Sequence, residues 1–181
     1  MKESSWVKRF APLVRAGGTV LDVAAGRGRH ARFFLDRGHR VTAVDRDAAL
    51  LADFPAGIET IAADLEDGSP WPLAGRRFDA VIVINYLHRP LFPALLAALA
   101  PGGVLIYETF GRGNERFGRP AHPDFLLEPA ELLVAFGQDL QVVAYECGRV
   151  EAEAHRPRPA VVQRLCAVRP SGDDLLPPRL P

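Results

Sequence analysis

Five apolar runs of strand length punctuate the first 110 residues, and each ends in a polar or acidic residue: "GGTVLDVAA", "HRVTAVDRD", "IETIAADLED", "FDAVIVINYL" and "PGGVLIYETF". Between them lie segments with helical spacing, "RHARFFLDRG", "AALLADF" and "PLFPALLAALA", and one proline-broken connection, "SPWPLAGRR". Strand and helix in alternation force a parallel sheet with helices on both faces. The fourth run is apolar nearly throughout, as a strand covered on both sides must be. Ligands in such sheets bind at the carboxyl ends of the strands. Those ends are where the polar residues fall: Asp22 to Gly28, Asp45, Asp64, Asn85 with Tyr86, and Glu108.

The flanking segments complete the pattern. "SSWVKRFAPLV" predicts a short leading helix capped by Ser4 or Ser5, with Trp6, Val7, Phe10 and Val14 on one face. "EPAELLVAF" predicts a late helix with Pro129 near its first turn. "LQVVAYECGRV" and "VVQRLCAVRP" predict two final strands with too little between them for a helix, so they pair antiparallel. The long polar segment 111–125 predicts a functional loop. Residues 1–170 are expected to form one domain, and the Pro-rich residues 171–181 a loose tail.

Composition excludes several classes. Lys plus Arg equals Asp plus Glu, 22 of each, so the net charge is zero and a nucleic-acid partner is not expected. No apolar run reaches the roughly 18 residues of a membrane span, and "MKESSWVKRF" has no signal-peptide core. Cys147 and Cys166 form no CxxC pattern and read as buried reduced thiols, which fits a cytoplasmic setting. The scattered histidines have no metal-ligand spacing, so no metal is expected.

Gly26-Arg27-Gly28-Arg29-His30-Ala31 fits the dinucleotide pattern G-x-G-x-x-G/A, and Asp45 fits the ribose-binding acid about 20 residues on. A nicotinamide-dependent oxidoreductase is therefore one reading. Against it stand Asp22, whose carboxylate at the strand end repels a pyrophosphate, and Asp64, a third acid on the same edge. The 181 residues also leave little room for a separate substrate domain. Three carboxylates suit a ligand rich in donors and positive charge but without phosphate. S-adenosylmethionine, with its sulfonium, ammonium, ribose diol and adenine amine, is such a ligand. The glycines then serve close backbone approach.

"VLDVAAGRGRH", "VTAVDRD", "AADLEDG", "FDAVIVINYLHR" and "LAPGGVLIYETF" resemble, in order, the motifs of class I S-adenosylmethionine-dependent methyltransferases, over roughly residues 18–110. The resemblance implies a doubly wound, mostly parallel seven-stranded, Rossmann-like α/β sheet with an antiparallel last strand. It implies that Asp22, Gly26, Arg27 and Gly28 border the methionine moiety, and that His30 lies near its carboxylate. Asp45, with Arg46 beside it, takes the ribose; Asp64 and Leu65 take the adenine; Asn85 and Tyr86 lie beside the sulfonium. Ala24-Ala25 stands where many members have Gly-Cys or Gly-Thr, a change of small for small expected to matter little. Within the class the chain is similar to small tellurite-resistance and thiopurine-type methyltransferases, through "GRGRHARFFLDRGHRVTAVDRD" and "EAHR" at 153–156. The stretch "ETFGRGNERFGRPAHPDFLLEPAEL", residues 108–132, does not resemble that group.

Methyl transfer is an in-line displacement, much of whose rate comes from positioning. A hydroxyl or amine acceptor calls for a base, whereas a thiolate or an oxyanion such as tellurite needs binding instead; the expected acceptor is a thiol, such an oxyanion or a small acid. The candidates for holding such a small-molecule acceptor are His155, Arg156, His88 and Tyr86, with Tyr86 read as a pocket wall. Glu108 reads either as a base or as a partner for nearby arginines. "INYL" replaces the NPPY-like tetrapeptide of many nucleic-acid amino methyltransferases. A non-catalytic protein that binds the same cofactor as a partner or regulatory subunit is the alternative. The 111–125 loop separates the two, since a lid over a pocket favours the enzyme. Oligomeric state is not encoded in any of these features.

Overall fold

The computed structural model describes residues 2–172. The expected tail lies, from residue 173 onward, outside the described residues. The strands are β1 (Thr19–Val23), β2 (Arg40–Asp45), β3 (Ile58–Ala62), β4 (Phe78–Ile84), β5 (Leu99–Phe110), β6 (Gln141–Val150) and β7 (Ala160–Val168). The helices are α1 (Ser5–Phe10), α2 (Arg29–Leu35), α3 (Ala48–Ala52), α4 (Phe92–Ala97) and α5 (Glu131–Phe136). The strands form one sheet in the order β3-β2-β1-β4-β5-β7-β6. Pairings from β3 across to β5 are parallel, and β7 is antiparallel to both of its neighbours. This is the expected mostly parallel sheet with an antiparallel last strand. Because only β7 is reversed, β6 ends on the same edge as β1 to β5, and the 151–159 connection lies beside the other strand ends.

The alternation of side chains across each strand divides the core into two layers. Val20, Ala80, Ile82, Val104 and Ile106 pack on one side with Trp6, Val7 and Phe10 of α1 and Phe33 and Phe34 of α2. Leu21, Val81, Val83, Leu105 and Tyr107 pack on the other with Leu95 of α4 and Leu132 and Phe136 of α5. Covered on both faces, the central strands bury nearly every residue.

Local chemistry sets the boundaries. The Ser4 side chain accepts from the Trp6 amide and starts α1, and Pro12 turns the chain into a 3-10 turn at Ala11–Leu13. The leading helix is therefore shorter than its apolar pattern suggests, although Val14 is buried. Cys166 lies in the core, where burial pushes its thiol up to about 12. Cys147 corrects the expectation of two buried thiols: it is exposed, because β6 is an edge strand with one face toward solvent.

Candidate active site

Two of the cavities along the carboxyl edge flank the end of β4, where Tyr86 lines one and Asn85 the other. The first, about 260 Å³, is lined by Asp45, Arg46, Asp64, Leu65 and Tyr86, together with Ala24, Ala63, Glu66 and Phe125. The second, about 450 Å³, is lined by Asn85, His155 and Arg156 and by residues of the 111–125 loop and the 157–160 segment. Adjacent residues, Asn85 and Tyr86, face different cavities. Asn85 adopts a left-handed backbone at φ 59°, unusual for a side-chain-bearing residue, and its amide donates to the Glu108 carbonyl at 2.8 Å.

The first loop is built from its own acids. Asp45 accepts from the Gly26 amide at 2.7 Å through one oxygen and from the Asp47 amide at 3.0 Å through the other. Each oxygen keeps a lone pair, so the carboxylate can hold the loop and still take hydroxyl donors. Gly26, at φ 56°, faces open space, which leaves the backbone free to lie against a ligand. Gly28 is required for a different reason: at φ 71° a Cβ there would overlap the Phe54 ring. Ala24 is also left-handed, at φ 52°. The change from glycine is thus small in volume but not neutral in backbone conformation.

Asp22 and His30 sit beneath this loop rather than in either cavity. Asp22 is 2% exposed, and its carboxylate accepts from the Ala31 amide at 2.9 Å. Burial raises its pKa to about 7, against the pull of that hydrogen bond and of Arg29. The carboxylate already occupies the start of α2, where a dinucleotide would seat its pyrophosphate. His30 is buried and accepts from the Ser4 amide at 3.2 Å, tying α1 to α2. Burial and then the Arg29 charge lower its pKa to about 3, so the ring is neutral. Arg27 is exposed and lines neither cavity.

His88 and Arg89 line neither of these two cavities. His88 precedes the 3-10 turn Arg89–Leu91. Arg89 is spent on Glu131, at 2.5 and 2.9 Å, and on the carbonyls of Asp124 at 2.8 Å and Leu126 at 3.0 Å. It fixes the far end of the 111–125 loop to α5 and offers no charge to a ligand. Tyr86 is a wall of the first cavity. Burial, reinforced by Glu66, pushes its phenol further above the ordinary value, so it stays protonated.

The hairpin pair lies where expected, but its charges are already used. Glu108, fully buried, lies 3.3 Å from His155 Nε2, 3.2 Å from an Arg156 guanidinium nitrogen and 2.8 Å from Arg164 Nε. The Ser4 hydroxyl donates to it at 3.2 Å. Glu153 meets the other ring nitrogen of His155 at 3.3 Å, Arg156 at 3.2 Å and Arg164 at 3.1 Å. Glu146 closes the group on Arg164 at 3.2 Å. Burial alone would raise the Glu108 pKa; the His155 hydrogen bond and the Arg164 and Arg156 charges outweigh it and hold it at about 2. Glu108 is thus a partner for arginines, not a base. Residues the sequence did not single out complete the second cavity: Phe110, Asn114, Phe117 and Arg119. Their only signal was the long polar loop that carries most of them.

Residues 20–103 match the protein family described as a methyltransferase domain. A trans-aconitate 2-methyltransferase of Paracidovorax citrulli is 37% identical over 101 residues, which are 50% of this chain and 38% of that protein. A malonyl-[acyl-carrier protein] O-methyltransferase of Pseudescherichia vulneris is 33% identical over 109 residues, 55% of this chain and 42% of that protein. This chain thus spans less than half the length of either curated relative. Among solved structures, TehB from Haemophilus influenzae superposes with a TM-score of 0.71 at 16% identity, over 92% of this chain and 62% of that one.

Proposed function

We propose that this chain, whose residues 20–103 match a methyltransferase domain and whose fold is that of TehB, is a class I S-adenosylmethionine-dependent methyltransferase that methylates a small anionic molecule. The observation that carries the proposal is the pair of cavities flanking Asn85-Tyr86, one lined by acids and the other by arginines. The bound cofactor would supply an electrophilic methyl group on a sulfonium. Asp45 would accept its ribose hydroxyls, Asp64 and the Leu65 backbone would border the adenine, and Gly26 would let the backbone approach closely. The residues present fit such a group. The first cavity offers three carboxylates against one arginine, and at the start of α2 the Asp22 carboxylate takes the Ala31 amide that a phosphate would need.

The chain's own part in the reaction is positioning and exclusion of water. Tyr86 walls the first cavity while Asn85 opens onto the second, so two ligands would meet at this point with little freedom. The 111–125 loop borders both cavities, through Phe125 in the first and Asn114, Phe117 and Arg119 in the second. A segment that borders two pockets supports an enzyme over a non-catalytic binder. The names of the two curated relatives place acids among the acceptors to be tried, alongside thiols and small oxyanions.

The proposal is tested by calorimetry with S-adenosylmethionine, S-adenosylhomocysteine and NAD. Binding of the first two and none of NAD is expected. NAD binding without S-adenosylmethionine binding would reverse the reading.

A further inference from the structure

We infer that the second cavity takes an acceptor that arrives as a carboxylate on an apolar or aromatic body, with Arg119 and Arg158 holding its charge. The inference rests on the function proposed above and narrows its acceptor. Three observations carry it.

First, the cationic groups around this cavity divide into two kinds. Arg156 and Arg164 are surrounded by Glu108, Glu146 and Glu153 and have no net charge left to offer. Arg119 and Arg158 line the cavity, are exposed, and make no ion pair among the described residues. They come from different segments, one from the 111–125 loop and one from the β6–β7 connection, so they meet only in the folded chain. Arg156 adds a buried Nε with no hydrogen-bond partner on the cavity wall.

Second, the space and its walls exclude the smallest anions. About 450 Å³ bordered by Phe110 and Phe117 far exceeds an inorganic oxyanion and supplies apolar surface such an ion cannot use. A planar guanidinium fork matches the two oxygens of a carboxylate better than the single sulfur of a thiolate.

Third, no side chain lining the cavity offers it an unpartnered basic atom. Its one basic ring, His155, faces carboxylates through both nitrogens. The other lining side chains are amide, aromatic, guanidinium or aliphatic. An amine that must lose a proton before attack finds no acceptor here. A carboxylate needs none: its oxygen lone pair forms the new bond to methyl, the methyl–sulfur bond breaks with its pair remaining on sulfur, and no proton moves.

The test uses benzylmalonate and phenylsuccinate as probes, benzylamine as the cationic control and benzyl mercaptan as the thiol control. Probe binding is read by calorimetry or ligand-detected NMR on the full chain, with and without S-adenosylhomocysteine. Expected are millimolar or tighter binding of both acids, about tenfold or greater weakening in Arg119→Gln/Arg158→Gln, and an unchanged dissociation constant for S-adenosylhomocysteine. Both arginines are exposed, and an unchanged melting temperature confirms that the variant is folded. Failure of either acid to bind the wild type, equal binding by the double variant, or preference for the amine or thiol overturns the inference. If S-adenosylhomocysteine fails to bind while the acids still do so through these arginines, the proposed function fails and the anion site stands.

Discussion

Two buried carboxylates stand on the same sheet edge and have opposite electrostatic fates. Asp22, in β1, has a backbone amide for a partner and its nearest cation, Arg29, only at a distance. Burial therefore dominates, and its pKa rises to about 7. Glu108, near the end of β5, is buried at least as deeply but has Arg156, Arg164 and His155 against it, and its pKa falls to about 2. The difference shows that burial alone does not set the charge of a strand-end acid; the partners brought by other elements do. It also divides the edge by role. The β1–β2 end is held by backbone amides and leaves its side of the first cavity acidic. The β5–β7 end is held by a side-chain network that consumes its own charge.

The largest test breaks the second half of this comparison. Glu108→Gln leaves two guanidinium groups and an imidazole without their central counter-charge. Loss of one partner from a buried ion pair costs about 3–5 kcal/mol. For a chain of this size that lowers the melting temperature by roughly 6–20 °C. A shift within about 2 °C would mean that the network is not a stabilising hub. The wild type should show the same linkage in acid. Because the folded pKa lies below the ordinary value of 4.5, the Glu108 contribution is present above that pH and is lost as pH falls toward 2.

Asp22→Asn tests the first half, with the opposite sign. The raised pKa means that the folded state favours the protonated acid. Its relative stabilisation is complete below about pH 4 and is lost as pH rises through 7. An asparagine oxygen can still accept from Ala31 and carries no charge to bury. The variant should therefore match or exceed the wild type above pH 7, by roughly 1–3 kcal/mol, and lose this advantage below pH 5. Chemical denaturation at pH 5 and pH 8 reads the difference. A variant less stable at both would show that the ionised carboxylate is itself required.

Asp45 sharpens the division by role. Asp45→Ala should weaken S-adenosylhomocysteine binding about ten- to hundredfold in calorimetry, as loss of charge-assisted hydrogen bonds predicts. Because Asp45 also accepts from Gly26 and Asp47, part of that loss comes from a loosened loop. Asp45→Asn keeps one acceptor oxygen for the loop and separates the contributions. A dissociation constant unchanged in both variants would remove Asp45 from the site.

The contrast also explains what the sequence made legible. Asp45 meets partners two and nineteen residues away, and the Asp22 partner is nine away. Spacings of that length lie within one strand–loop–helix unit, so the acids and glycines of β1 and β2 were recognisable in the chain. The topology was readable for the same reason, because apolar runs alternate with helical segments in strict order. Glu108 finds Ser4 104 residues away and His155, Arg156 and Arg164 about fifty residues away. Nothing local to Glu108 marks it as the centre of that network. His155 and Arg156 were placed correctly on the edge, but their neutralisation was invisible until Glu108 and Glu153 were seen against them. Arg89 likewise meets its counter-charge, Glu131 of α5, 42 residues away.

The smallest effect concerns backbone strain at the end of β1, two residues past Asp22. Ala24 holds φ at 52°, a region where a Cβ crowds the following carbonyl. At the end of β4, Asn85 occupies the same region, but asparagine tolerates it better. Ala24→Gly should relieve the first strain, and the added entropy of the unfolded glycine offsets part of the gain. A net stabilisation of about 0.5–1 kcal/mol is expected, a rise of roughly 1–4 °C in melting temperature. Asn85→Gly at the matching position should give less, because its starting strain is lower and it also loses a side chain facing the second cavity. A fall in stability for Ala24→Gly would mean that this conformation is not strained and that the Ala24 methyl group contributes contacts of its own to the first cavity's wall.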